Sequence, residues 1–226
     1  MKRHAVDIAR IAALLEPFLE PSLPPSTLDQ ISTYIDLLLR WNARINLTAI
    51  RSPEEIVTRH FGESFFLASH LFPKSGTDHR PLTTDYRPPH VLDIGSGAGF
   101  PGLPLKLWAP HIHLTLVESN HKKAAFLREV ARALTLTNIN VITDRAEVLA
   151  ARPDSPRTEV VTLRAVEHFD EILPQAITLL APRATLALLI GAAQLPRLTA
   201  ATTMKWHSPI PIPQSSTRVL SIGVHD

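Results

Sequence analysis

From residue 91 onward the chain alternates short apolar runs with helical patterns, and this alternation limits the possible folds more than any other feature of the sequence. The runs are VLDIG (91–95), HLTLVE (113–118), INVIT (139–143), EVVTLRAV (159–166) and ATLALLI (184–190). Helical spacing fills the gaps at about 103–109, 120–136 and 169–181, the second with Ala125, Phe126, Leu127, Val130, Ala131 and Leu134 on its apolar side. Strands separated by helices of that length connect by crossovers and therefore run parallel. The expected architecture is an α/β fold with a doubly wound, mostly parallel sheet covered on both faces. After residue 203, TMKWHSP and STRVLSIGVH predict two further strands, a C-terminal antiparallel hairpin at one edge. The PIPIP between them resists pairing in a sheet interior.

Residues 1–72 read differently, as helices. Leu28, Ile31, Ile35, Leu38, Leu39, Trp41 and Ile45 recur at steps of three and four, which gives one buried face between Ser26 and Asn46. Ser52-Pro53-Glu54-Glu55 opens a further helix, with serine as N-cap and proline in the first turn, running to about residue 72. Residues 73–90, rich in proline and polar side chains, predict a linker or surface loop. The organisation is thus a helical extension over 1–72, a loop over 73–90 and the sheet domain over 91–226. A chain of 226 residues, 45% hydrophobic and 19% charged, suits one globular domain with an appendage and excludes disorder.

Composition also removes chemistry. There is no cysteine, so disulfides, thiolate metal sites and a cysteine nucleophile are excluded. His111, His113 and His168 have no partners at metal-ligand spacing, and no metal is expected. The opening MKRHAVDIARIAALLEPFLE is interrupted by Asp7, Arg10, Glu16 and Pro17, so neither a signal peptide nor a membrane span is expected, and the cytoplasm is the expected compartment. Lys plus Arg number 23 against 21 Asp plus Glu, with no polybasic stretch. Nucleic-acid phosphates would have to meet a patch assembled by the fold.

The first strand carries Asp93 and runs into Gly95-Ser96-Gly97-Ala98-Gly99-Phe100-Pro101-Gly102. Glycines permit a tight turn and close approach of backbone N–H groups to a ligand. Two readings compete. Residues 97–102 fit G-x-G-x-x-G, with Glu118 about 20 residues on as a ribose-binding acid, the pattern of a dinucleotide oxidoreductase. Alternatively Asp93, Gly95, Gly97 and Gly99 resemble the loop of S-adenosylmethionine (SAM)-dependent methyltransferases, in which a strand acid lies near a cationic amino acid moiety and Glu118 takes the ribose hydroxyls. Thr143-Asp144-Arg145-Ala146-Glu147 then ends the third strand, where that class places polar residues around adenine. The second reading is favoured because it uses Asp93.

Further motifs narrow the class. Trp41-Asn42, Ile45-Asn46-Leu47-Thr48, Arg59-His60 with Ser64, DIGSGAGFPGLPL, TLVESNHKKAAFL, DRAE and Arg164-Ala165-Val166 follow one another in an order that resembles the RsmG (GidB) family of bacterial 16S ribosomal RNA guanine-N7 methyltransferases. The resemblance covers about 34–166. It implies a Rossmann-like class I methyltransferase fold with an N-terminal helical extension, SAM as cofactor and 16S rRNA in a small-subunit ribosomal particle as substrate; apart from the resemblance, a monomer is expected. It assigns cofactor contacts to Asp93, Gly95, Ser96, Gly97, Gly99, Phe100, Glu118, Ala146, Glu147 and Arg164. Arg164 is also the candidate catalytic residue, and Arg59, His60, Ser64, Lys122 and Lys123 are candidate RNA contacts. Three positions depart from the family pattern: Glu63 replaces the usual aspartate, Leu163 replaces a serine, and Leu189-Ile190-Gly191 lacks a lysine before the glycine. Methyl transfer to another RNA or a small molecule, and a non-catalytic ribosome-assembly role, are the alternatives.

The chemistry agrees with N7. Methylation of a pyrimidine C5 commonly uses a cysteine, absent here, and exocyclic amines are often handled by an Asn/Asp-Pro-Pro-aromatic loop, where this chain reads Leu163-Arg164-Ala165-Val166-Glu167-His168. Guanine N7 attacks through a lone pair and needs no general base, so alignment and electrostatics suffice. Several residues also suit plainer roles. Arg59 and Glu63, four apart, suit a surface ion pair; Trp41 suits a core position; Lys122 and Lys123 suit a solvated face.

Overall fold

The computed structural model describes residues 4–74, 87–155, 157–165, 168–201 and 204–226. Most of the expected loop 73–90, Val166 of the fourth apolar run, Glu167, and Thr203, the first residue of TMKWHSP, lie outside them. Four helical elements come first: α1 (Ile8–Leu15), α2 (Pro25–Asn42), α3 (Pro53–Glu55) and α4 (Glu63–Leu71), with a π-helical segment, Ile56–Gly62, joining α3 to α4. Asp7 caps α1 and Ser52 caps α3 by accepting backbone N–H groups. Then follow β1 (His90–Ile94), α5 (Gly102–Trp108), β2 (His113–Val117), α6 (His121–Ala133), β3 (Ile139–Ile142), α7 (Ala146–Ala150), β4 (Thr158–Arg164), α8 (Phe169–Thr178), β5 (Leu180–Gly191), α9 (Leu195–Ala201), β6 (Lys205–Trp206), β7 (Ile210–Pro211) and β8 (Arg218–Val224).

The strands form one sheet of order β3-β2-β1-β4-β5-β8-β6, with β7 also on β8. β3, β2, β1, β4 and β5 are parallel, as the crossovers require. The C-terminal strands differ in detail from a hairpin at the edge. β8 pairs antiparallel with β5 from Thr185↔Val224 to Gly191↔Arg218 and so lies inside the sheet, while short β6 and β7 take its outer side. The proline-containing β7 is confined to that outer position, where a missing N–H is tolerated. β5 begins at Leu180 rather than 184, directly after α8 stops at Thr178.

Strand residues alternate between two cores. Leu92, Ile94, Val161, Leu163, Leu186 and Leu188 face one side, packed with Leu149 of α7 and Phe169, Leu173 and Ala176 of α8. Val91, Leu114 and Leu116 face the other, and there the cover comes from α5 and α6 together with the N-terminal helices: Ile31, Tyr34, Ile35 and Leu38 of α2, Phe61 of the π segment and Phe65 of α4 lie in the same cluster as Phe126 and Leu127. Trp41 is part of this side, its ring 5.7 Å from that of Phe126 and its Nε1 donating to Glu129 on α6 at 3.0 Å.

Candidate cofactor and substrate cavity

In this strand order the chain direction of winding reverses between β1 and β4, and the crevice beyond the carboxyl ends of those strands is where open α/β sheets bind ligands. A cavity of about 760 Å³ opens there, within the size range of small-molecule sites. Its floor is the glycine loop. Gly95, Ser96, Gly97, Ala98 and Phe100 line it, with Glu118 from the end of β2 and Ala146 and Glu147 from the start of α7.

The loop is held from below and from behind. Asp93 is fully buried and does not line the cavity; its carboxylate accepts from Thr162 Oγ1 at 2.8 Å, its register neighbour on β4, and from the Gly102 N–H at 3.3 Å. Burial pushes its carboxyl from 3.8 up to about 6, against the pull of these hydrogen bonds. A Cβ at Gly102 would fall 2.8 Å from Asp93 Oδ2, so only glycine lets the helix start that close to the strand acid. Gly99, at φ +91°, also lies off the cavity, and a Cβ there would overlap the Tyr34 hydroxyl and Leu103. Tyr34 itself donates to the Ala98 carbonyl at 2.5 Å. Glu118 accepts from Gly97 N through Oε2 and from Asn120 N through Oε1, each at 2.8 Å, and so joins the loop to the start of α6. Each oxygen keeps a lone-pair direction for a further donor.

The opposite wall comes from the N-terminal helices. Asn42, buried at the end of α2, accepts from the N–H groups of Leu47 and Thr48 and donates to the Thr48 carbonyl. That brace explains the spacing of Trp41-Asn42 and Leu47-Thr48, and it places Leu47 and Thr48 on the cavity wall. Thr48 Oγ1 accepts from Ile50 N and lies 2.8 Å from His60 Nε2. The His60 ring stacks on Phe100 at 4.6 Å, and Phe100 stacks in turn on Tyr34. Burial first, then the positive charges of Arg164 and Arg59, lowers His60 from 6.5 to about 2, so the imidazole is neutral. Ser64 is buried off the cavity and donates to the His60 carbonyl at 2.6 Å.

Arg164 reaches the cavity from the end of β4. Its guanidinium donates to the Arg59 carbonyl at 2.8 Å and lies 3.4 Å from Glu63 Oε2. Burial lowers its pKa, and Glu63 opposes the shift. The i,i+4 pair of Arg59 with Glu63 does not form. Arg59 turns instead to Glu55 at 3.5 Å, on the exposed side, and Glu63 is buried between Arg164 and Arg218, the latter 2.6 Å from its Oε1. Both alternatives satisfy helix spacing; what decides is that Glu63 points at two cations from distant strands. Lys123 lines the cavity, whereas Lys122, one residue nearer the α6 N-terminus, is exposed and does not.

Residues missed in the sequence fall into two groups. Thr48 stands in a motif already noted, so its place could have been found there. His168, just before α8, and Ile172 and Gln175 on it also line the cavity, and nothing local marks them. Among the described residues no group of three His, Asp or Glu side chains is placed to hold a metal ion, and no helix is long and apolar enough to cross a membrane.

A parallel sheet of this order, a glycine loop after β1 and an acid closing β2 define a Rossmann-like methyltransferase fold. Solved structures of the same fold include the ribosomal protein L11 methylase of Lactobacillus delbrueckii subsp. bulgaricus (TM-score 0.54, 15% identity, 73% of this chain and 80% of that one) and a predicted O-methyltransferase of Agrobacterium tumefaciens (TM-score 0.52, 19% identity, 72% and 80%). The profile of the GidB family, rRNA small subunit methyltransferase G, matches residues 27–209, and the chain belongs to that family. Relatives named ribosomal RNA small subunit methyltransferase G include those of Roseiflexus castenholzii, 42% identical over 67% of this chain and 60% of that protein, and Stenotrophomonas maltophilia, 36% identical over 84% and 82%. The match to the Bacillus subtilis relative, at 38% identity, spans 56% of its length. Against the Roseiflexus and Bacillus proteins the matched segment therefore covers a little over half of the relative.

Proposed function

We propose that this chain is a SAM-dependent methyltransferase acting on N7 of a guanine in 16S rRNA of a small-subunit ribosomal particle. The observation that carries the reading is the wall shared by Arg164 and His60. The cavity places a fixed cation there beside an imidazole whose basicity burial has removed, which suits a nucleophile that sheds no proton. A base with pKa about 2 accepts no proton at neutral pH. Guanine N7 makes no such demand.

The residues present fit the cofactor. The glycine loop lets a ligand approach the backbone closely at Gly95, Ser96 and Gly97, whose N–H groups are held by the Val117 carbonyl and Glu118; Glu118 retains acceptor capacity suited to ribose hydroxyls, and Ala146 and Glu147 border the place for adenine. When bound, SAM supplies a methyl group on a sulfonium centre. Asp93 contributes from beneath, fixing the loop through Gly102 and carrying negative charge under a ligand with a cationic amine. Phe100 holds the loop against His60. Arg164 orients the guanine through its O6, with catalysis resting on alignment and electrostatics. Lys123 and His60 contact substrate; Ser64 acts through His60, and Lys122 stands in solvent. The enzyme works in the cytoplasm as a monomer.

The test is transfer of labelled methyl from SAM to small ribosomal subunits prepared from cells lacking this protein, with nucleosides identified by mass spectrometry. Label in 7-methylguanosine at one 16S position is the expected result. Label in another nucleoside, or none despite SAM binding, overturns the proposal.

A further inference from the structure

A second cavity, of about 360 Å³, lies on the other side of the Arg164–Glu63 pair. Arg59, Glu63 and Arg218 line it, together with Glu55 and Thr58 of the N-terminal helical run and Ser216 of the turn before β8. The two cavities share a thin partition. Arg164 and His60 face the first, while Glu63 and Arg59, their immediate partner and neighbour, face the second.

Its electrostatics are distinctive. Two guanidiniums, of Arg164 and Arg218, flank one buried carboxylate, Glu63, and a third, of Arg59, pairs with the exposed Glu55. By formal charge the five groups sum to +1. Hydrogen bonding is incomplete as well: among the described residues, the Nε atoms of both Arg59 and Arg218, and Oε1 of Glu63 between the guanidiniums, are buried without a hydrogen-bond partner. Buried guanidinium donors left unmade are costly, and a small turn of either side chain would bring them to an acceptor with several oxygens in the cavity. Hydroxyls of Ser215, Ser216 and Thr217 stand around the same space, while that of Thr58 is turned to the carbonyls of Glu54 and Glu55.

We propose that this second cavity is an oxyanion subsite that takes a backbone phosphodiester next to the target nucleotide, with Arg59 and Arg218 as its donors. This rests on the proposed action on RNA and deepens it. The base enters the cofactor cavity past Arg164, and the adjoining phosphate settles across the partition, so one carboxylate, Glu63, aligns Arg164 on the base side and Arg218 on the phosphate side. Arg59, turned away from Glu63, thereby has a role that its weak pairing with Glu55 does not supply.

The experiment measures affinity for unmethylated small ribosomal subunits, with S-adenosylhomocysteine present, between 50 and 250 mM KCl, roughly the range over which phosphate contacts reveal themselves. Arg59→Gln is expected to reduce the slope of log affinity against log salt by about 0.7–0.9, the share of one phosphate. Ser216→Glu, at an exposed position on the rim, should weaken particle binding about tenfold through like-charge repulsion. Affinity for S-adenosylhomocysteine should stay unchanged in both, showing intact folding. Unchanged slope and affinity in both variants overturn the subsite. If the wild-type protein has no affinity for the particle, the proposed function fails instead. The cavity is then probed with inorganic phosphate by amide chemical shifts at residues 215–217. Shifts abolished by Arg59→Gln identify a free-phosphate site and overturn the phosphodiester assignment; no shifts overturn the oxyanion site altogether.

Discussion

The ring of Tyr34 lies parallel to that of Phe100, 6° apart in plane with centroids at 5.3 Å, and its hydroxyl donates to the carbonyl of Ala98 two residues earlier. A helix that precedes the sheet domain thus grips the glycine loop by both face and hydroxyl. Tyr34→Phe keeps the ring and loses the hydrogen bond, leaving a buried carbonyl. The expected cost is about 1–2 kcal/mol, read from urea unfolding, with a weaker SAM affinity measured by calorimetry. Equal stability and equal affinity would show that the loop holds its shape unaided.

Asp93 and His60 give the protein two opposed responses to pH. Asp93, with its folded-state pKa raised from 3.8 to about 6, holds its proton more tightly when folded. Stability from this group is therefore greatest below pH 4 and falls as pH rises to about 6, by roughly 2–3 kcal/mol. Asp93→Asn should remove that component. The difference in unfolding free energy between wild type and variant, followed from pH 4 to 7, should slope accordingly, and a flat difference would place the carboxyl in a less buried environment.

His60 acts in the other direction. Its folded-state pKa of about 2 against 6.5 means that the unfolded chain binds the proton first. Stability from this group is complete above pH 6.5 and is lost as pH falls, by about 2–3 kcal/mol at pH 4.5. His60→Gln should flatten this limb while weakening the stack on Phe100. Chemical denaturation at pH 4.5 and 7.5 compares the two proteins.

Glu63→Gln leaves Arg164 and Arg218 facing each other without their shared carboxylate. Breaking a buried charge cluster in this way is expected to cost about 3 kcal/mol and to lower kcat more than it raises KM for the ribosomal particle. Glu63→Asp, which restores the family's usual side chain, should recover most of the activity by shortening only the reach. If the aspartate variant is as impaired as the glutamine one, the charge is not what positions Arg164.

The parallel sheet was legible because each strand and helix from residue 91 declares itself locally, through runs of β-branched and aliphatic residues and the spacing between them. The floor of the cavity was legible for a related reason: Gly95 and Gly97 lie at positive φ in a turn that demands glycine, and Glu118 directly follows β2 at a set distance along the chain. The wall was not. Glu63 looked like a partner for Arg59, since helix spacing offers both Glu55 and Glu63, and only Arg164 and Arg218, more than a hundred residues away, break the tie. Arg218 itself passed unnoticed, although a lone arginine opening an otherwise apolar strand requires a counter-charge. The interior position of β8 was hidden too, because antiparallel pairing with β5 depends on a return path of about twenty-five residues that local patterns do not encode.

One face of the sheet has no complete cover of its own. α5 lies on β1 and β2, with Leu116 against its first residue, Gly102, and Tyr34, Ile35, Phe61 and Phe65 close the same cluster over α5 and α6. The sheet half and the helical half therefore share one core: removing the helices before β1 would bare the outer side of α6, with Phe126 losing Tyr34 and Trp41, and present an apolar surface to water. Substrate recognition cannot be exchanged among relatives by swapping the helices alone, because the residues that would meet RNA are fastened to the same side chains that keep the sheet dry.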